Sequence, residues 1–266
     1  MPGFNLSAIL LRRVAYADYD LILDFLTGQG DKVSAIAKNA RKSRKRFAGI
    51  LEPFSCLEAV FVRPRRSDSG LLLLKEAFLT NPFAGLRSDY EKTAYASYWC
   101  EIINRWVEAG GRQNGLFPLL YAVLEALEKP GAINEQVSLL FQIRFLGLAG
   151  MSPDLNGCVV CRSPMDTAGR QNDKIVFDTT RGGLICPGCQ RTAAGAHQIP
   201  ISRGAVKPLL WMQGGDLRKA GRVRMSADAR RQGLAVMEQF VPYHLAAPIK
   251  SLDVLQKIRQ WRQTQQ

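Results

Sequence analysis

At 266 residues and 47% hydrophobic content, the chain can build sizeable cores in two or three modules, which excludes a disordered or fibrous protein. Its 36 Lys and Arg outnumber 23 Asp and Glu, giving a formal charge of +13. Such a surface points to a polyanion as partner, with plain solubility and an anionic membrane surface as alternatives. No uninterrupted apolar run reaches the ~18–20 residues of a membrane helix, so no membrane partner is expected.

The N-terminal stretch MPGFNLSAILLRR places its arginines after a short apolar run, the reverse of a signal peptide. The expected address is therefore the cytoplasm, where thiols stay reduced. Short apolar or alternating runs at 6–16, 20–27, 31–38, 54–64 and 70–79 predict five strands, separated by AD, GQG, a long polar segment and RRSDSG. Five strands at this spacing suggest a small closed barrel.

Between the third and fourth strands lies KNARKSRKRF (38–47). It carries six cations in nine residues: Lys38, Arg41, Lys42, Arg44, Lys45 and Arg46. Crowding like charges costs self-repulsion that an anion relieves, whereas the bland reading is a solvated loop with a short helix. Its place on a barrel favours phosphate contacts, because oligonucleotide-binding barrels use a groove between strands and flanking loops. Arg63, Arg65 and Arg66 extend the candidate patch, and Phe47 is read either as a base-stacking ring or as an anchor into the barrel.

From residue 82 the period changes to three and four. One long amphipathic helix is expected from Leu86 to Val107, stopped by Gly110 and Gly111. Further helices are expected at 116–131 and 133–150, and a final pair at 226–245 and 251–262, capped by Ser226 and Ser251.

Two C-x-x-C pairs stand between these helices: Cys158 with Cys161, and Cys186 with Cys189, 24 residues apart. A disulfide framework is disfavoured in a reducing compartment, and a redox couple needs only one pair at a helix N-terminus. Strands KIVFD and GLIC, joined by TTRG, bring the second pair back in a hairpin. The pattern is that of a zinc ribbon with four thiolates around one structural Zn2+. Gly188 is read as letting a backbone N–H approach a sulfur. His197 is expected at the surface as a non-ligand, and Cys56 and Cys100 as buried thiols.

Charge is concentrated at the ends. Residues 1–80 hold 13 cations against 8 carboxylates, 81–202 hold 11 against 11, and 203–266 hold 12 against 4. There is no P-loop, no G-x-S-x-G elbow and no carboxylate pair in a motif, which favours a binding protein over an enzyme.

The order of parts resembles the RecO recombination-repair family. The resemblance is carried by VSAIAKNARKSRKRFAGILEPFSCLEAVF (33–61), FDTTRGGLIC (177–186) and the final KSLDVLQKIR. It implies an α+β multidomain fold: a five-stranded oligonucleotide-binding (OB) barrel at 1–80, then a helical domain at 81–266 with an inserted four-cysteine zinc ribbon at about 152–200. It also implies a non-catalytic mediator of DNA repair that binds single- and double-stranded DNA and anneals complementary strands. With RecR, such a protein helps RecA displace single-strand-binding protein, whose C-terminal tail is a further partner. The family's action on the chromosome places the bound protein at the nucleoid. Carried over by position, the metal ligands are Cys158, Cys161, Cys186 and Cys189, and the DNA contacts fall on Lys38–Arg46. The alternative function is a zinc-ribbon RNA-binding or ribosome-associated factor, and a third is a hydrolase carrying the ribbon as an appendage.

Overall fold

The computed structural model describes residues 3–64, 70–108, 110–165, 175–193, 195, 197–214, 216–220 and 223–264. Arg65, Arg66, Arg222 and most of the polar stretch MDTAGRQND lie outside them, as does the side chain of Arg218.

Five strands close into a barrel: β1 (Phe4–Tyr16), β2 (Asp20–Thr27), β3 (Lys32–Ala37), β4 (Cys56–Val62) and β5 (Leu72–Asn81). Their order is β1-β2-β3-β5-β4, with β4 returning to β1 and only β3 and β5 parallel. This is the Greek-key closure of an OB-type barrel. Every second residue points inward, so large Leu10, Leu23, Phe25 and Phe61 interdigitate with small Ala8, Ala35, Ala37 and Ala59. Phe25 and Phe61 meet edge-on with ring centroids 5.5 Å apart. A register shift between Leu10 and Arg12 re-aims β1, and residues 12–16 emerge as an exposed arm paired with β2.

The segment from β3 to β4 is not the purely solvated loop its polarity suggests. Asn39 adopts φ +55°, a short 3-10 turn follows at Ala40–Lys42, and Phe47 and Leu51 then enter the barrel core. Backbone hydrogen bonds strap it to β1, Leu10 N–H donating to Ser55 O (3.0 Å) and Phe54 N–H to Leu10 O (2.8 Å). The segment thus plugs one end of the barrel.

The expected long helix is broken. A short turn α1 (Ala84–Arg87) precedes α2 (Tyr90–Trp106), because the Asp89 carboxylate accepts from the N–H groups of Glu91 and Lys92 and starts a new helix. α2 also stops before the glycine pair; Val107 is extended, and Gly110 donates to Lys32 O. α3 (Leu116–Glu128) and α4 (Asn134–Leu148) form where expected. The helices α5 (Arg203–Gln213) and α6 (Leu217–Ala220) were not anticipated, and α5 contains Pro208. α7 (Ala227–Leu245) opens on Ser226, whose hydroxyl accepts from Ala229 N–H. The last helix, α8 (Lys250–Gln263), starts after Ile249, not on Ser251 as expected. Ser251 instead donates its N–H (2.8 Å) and hydroxyl (2.5 Å) to Glu101 on α2.

By packing, the chain divides into two compact units, Met1–Pro130 with Ile249–Gln266, and Gly131–Pro248. The barrel's last strand ends at Asn81, and the first unit goes on to take in α2, α3 and α8. The reason is physical. α2 packs on β1 and α3, and α8 returns to α2 through the Glu101 bonds, an Arg262–Glu91 ion pair (2.6 Å) and Trp261 edge-on to Tyr90.

In the second unit, β6 (Asp154–Cys158), β7 (Ile175–Asp178), β8 (Gly183–Ile185) and β9 (Gln198–Ile201) form a sheet ordered β6-β8-β7-β9. The β7–β8 hairpin is the expected one. Its turn is held by Asp178, which accepts from Arg181 N–H (2.9 Å) and from the Arg181 guanidinium (2.7 Å). Gly183 is required there, since a Cβ would sit 2.4 Å from Val159 Cγ1 and 2.8 Å from Asp154 O. No helix among the described residues is long and apolar enough to cross a membrane.

Candidate metal centre and nucleic-acid interface

Cys158 closes β6, and the chain turns at once. Arg162 N–H donates to Cys158 O (2.9 Å), and Cys158 N–H to Ser163 O (2.9 Å), with Arg162 at φ +62°. Cys186 follows β8 directly, and Cys189 N–H donates back to Cys186 O (3.0 Å). Parallel pairing of β6 with β8 brings the two turns together. The four sulfurs all lie within 4.8 Å of one another, and Cys161 Sγ is 3.8 Å from Cys186 Sγ. Four thiols at that spacing can hold one metal ion.

Their protons show the crowding. Hydrogen bonding to the Ser163 hydroxyl, then to its backbone, holds the Cys161 thiol down at about 6, while hydrogen bonds to Cys186 and Cys161 push Cys189 up to about 12. Burial opposes ionisation of Cys158, but backbone N–H donors at Cys161, Cys186 and Val160 outweigh it and hold that thiol below its usual value. Among these donors the Cys186 N–H lies 3.4 Å from Cys158 Sγ. Gly188 is not needed for it, since a Cβ there would meet only Cys186 Sγ at 4.0 Å. His197 is exposed and outside the sulfur cluster. Cys56 and Cys100 are buried, and burial pushes the Cys100 thiol up to about 12.

On the barrel plug, Lys38, Arg41, Lys42, Arg44, Lys45 and Arg46 are all exposed. Among the described residues none of the six pairs with a carboxylate. The plug is instead fastened through backbone and ring contacts to the β1–β2 hairpin. Arg41 N–H donates to Tyr19 O (3.0 Å), its guanidinium to Asp18 O (2.9 Å), and Asn39 N–H to the Asp20 carboxylate (2.7 Å). Lys42 Nζ sits 3.2 Å from the centre of the Tyr19 ring. Arg46 lies over Phe47 at 4.9 Å and donates to Lys38 O (3.1 Å). Phe47 itself is 3% exposed, so it is the anchor and not a base-stacking ring.

Residues 1–83 match the family described as "Recombination protein O N terminal", and residues 87–253 match "Recombination protein O C terminal". The chain belongs to the RecO family. Relatives bearing the name "DNA repair protein RecO" run the full length of the chain. That of Desulfosudis oleivorans is 51% identical over 98% of this chain and all of its own. That of Desulfatibacillum aliphaticivorans is 42% identical over 97% of this chain and 98% of its own, and that of Syntrophus aciditrophicus 35% over 95% of both. The family is the one that segments 33–61 and 177–186 resemble. What sequence reasoning passed over in this RecO-family barrel is the hairpin YADYD, whose Tyr16 and Tyr19 are exposed and whose Tyr19 ring lies against Lys42. The available signal was two aromatics flanking a predicted turn.

Proposed function

We propose that this RecO-family chain is a DNA-binding recombination mediator in DNA repair, acting in the cytoplasm at the nucleoid. It binds single- and double-stranded DNA, anneals complementary strands and, with RecR, helps RecA load onto strands coated by single-strand-binding protein, whose C-terminal tail it engages. The observation that carries the reading is the barrel plug. Among the described residues the six exposed cations between Lys38 and Arg46 have no carboxylate to neutralise them, and phosphates supply the missing charge. The names of the full-length relatives point the same way.

The mediator needs no reaction of its own. Holding two strands on a cationic surface lowers their mutual repulsion, and base pairing supplies the driving force. The metal is one Zn2+ held by Cys158, Cys161, Cys186 and Cys189. Tetrahedral thiolates at ~2.3 Å from zinc stand about 3.8 Å apart, which is the Cys161–Cys186 separation. Four protein ligands leave no position for a reactive water, so the ion fastens the ribbon. The test is annealing of complementary oligonucleotides, naked and coated with single-strand-binding protein, with and without RecR. Acceleration of both, the coated strands needing RecR, is expected; no acceleration of either refutes the reading.

A further inference from the structure

We propose that the β1–β2 hairpin and the adjoining outer face of the barrel form a base-stacking subsite for single-stranded DNA, with Tyr16 and Tyr19 as the stacking side chains. This rests on the DNA-binding reading and says which strands the site prefers. Tyr16 and Tyr19 are 52% and 40% exposed, two aromatic rings left in water at the tip of one hairpin. They are not on a loose end. Tyr16 pairs with Asp20 in the strand ladder, Asp20 accepts from Asn39, and Tyr19 accepts from Arg41 while its ring lies beneath Lys42. The hairpin tip, with the Tyr19 ring, is therefore fastened to the same segment that carries the six cations.

Below the tip the register lines up Val14 with Ile22, Ile22 with Ile36, and Ile36 with Leu73. Paired residues share a face. Leu21, Leu23, Ala35 and Ala37 fill the interior, so this row faces outward. Val14 is 36% exposed and its three partners are half-buried. An apolar strip crossing four strands, ~14 Å wide at ~4.8 Å per strand, thus runs alongside the tyrosines. At its lower edge Arg12 pairs with Asp24 (3.7 Å). Phosphates belong with the cations and bases with the rings and strip, which is how barrels of this type hold single strands. A duplex keeps its bases stacked inside and can use only the cations. The tyrosines therefore add affinity for single strands alone, about 5- to 150-fold for each stacked base.

The experiment compares full-length wild type, Y16A/Y19A and Y16F/Y19F on three ligands of equal length: oligo-dT, an abasic oligonucleotide and duplex DNA, each over a salt series. The expected result is a loss of at least 5-fold on oligo-dT for Y16A/Y19A with unchanged salt slope, no loss on the abasic strand or duplex, and recovery in Y16F/Y19F. Equal losses on all three ligands, or none on oligo-dT while the wild type still binds, overturn the stacking subsite and leave DNA binding standing. Failure of the wild type to bind any of the three overturns the DNA-binding reading, and the subsite with it. Photocrosslinking of wild type to 5-iodouracil-substituted single strands does not depend on the variants folding. Crosslinks on Tyr16 or Tyr19 support the assignment, and crosslinks confined to other peptides overturn it.

Discussion

Replacing Arg44, Lys45 and Arg46 by alanine removes half of the plug's cations without touching its anchor. Arg44 and Lys45 have no partner among the described residues, and Arg46 gives up only a bond to Lys38 O and its place over Phe47. The fold should survive, since exposed charges contribute little to stability. If two or three of these cations meet phosphates, log K against log salt flattens by roughly 2–3 units on duplex and 1.5–2 on single strands. The affinity lost by the wild type between 50 and 200 mM salt then shrinks about 10- to 40-fold on duplex, alike for every sequence because phosphate contacts position without specifying. The assay is fluorescence anisotropy over a salt series. The comparator is Lys219→Ala/Arg224→Ala, two exposed cations of the second unit. If the plug variant keeps the wild-type slope and the comparator loses it, the plug is merely solvated and the C-terminal surplus carries the DNA.

Elemental analysis should find one zinc per chain. Chelation or Cys186→Ser should raise hydrogen exchange in β6 to β9, because thiolate ligation contributes directly to folding; four freely titrating thiols would count against the site. No multiple-turnover cleavage of DNA or nucleotide is expected, and turnover abolished by a point change outside the four cysteines would refute that. Phe47→Ala should cost about 3–5 kcal/mol in chemical denaturation, whereas a base-stacking role would leave stability intact and weaken only DNA binding. Burial works against ionised Glu101, but hydrogen bonds from Ser251 and Arg105 prevail and hold its carboxyl below the usual value. A depressed folded pKa means stability present above the unfolded value and lost as pH falls through the folded one. Exchange protection in α8 should therefore fade as the pH drops below about 4.5 in wild type and stay flat in Glu101→Gln.

The barrel strands were legible because inward residues recur at period two from Leu6 to Leu74, and the ribbon because two matched C-x-x-C turns admit few other geometries. The misses have local causes. Pro208 reads as a helix breaker, yet α5 tolerates it with Ser202 accepting from Ala205 N–H at its start. β6 and β9 contain Asn156-Gly157 and Pro200, poor strand formers whose pairing comes from the sheet beside the four cysteines. Ser251 resembles a cap in one dimension, but its partner Glu101 lies 150 positions earlier, which no local pattern reveals. Phe47 was undecidable because one aromatic in a polar stretch serves a core or a ligand equally well; only the closed barrel beneath it chooses.

The return of α8 to α2 also sets an order of events during synthesis. The barrel, α2 and α3 leave the ribosome first, but the surface of α2 that receives α8 waits while residues 131–248 are made, about 6–24 s at common bacterial elongation rates. Through that interval Glu101 and Glu91 lack the Ser251 and Arg262 groups that engage them, and the apolar ground beneath Leu252 and Leu255 stays uncovered. A nascent chain of this kind is a client for chaperones, and a stop codon a few turns before the end damages the part of the protein that was made first.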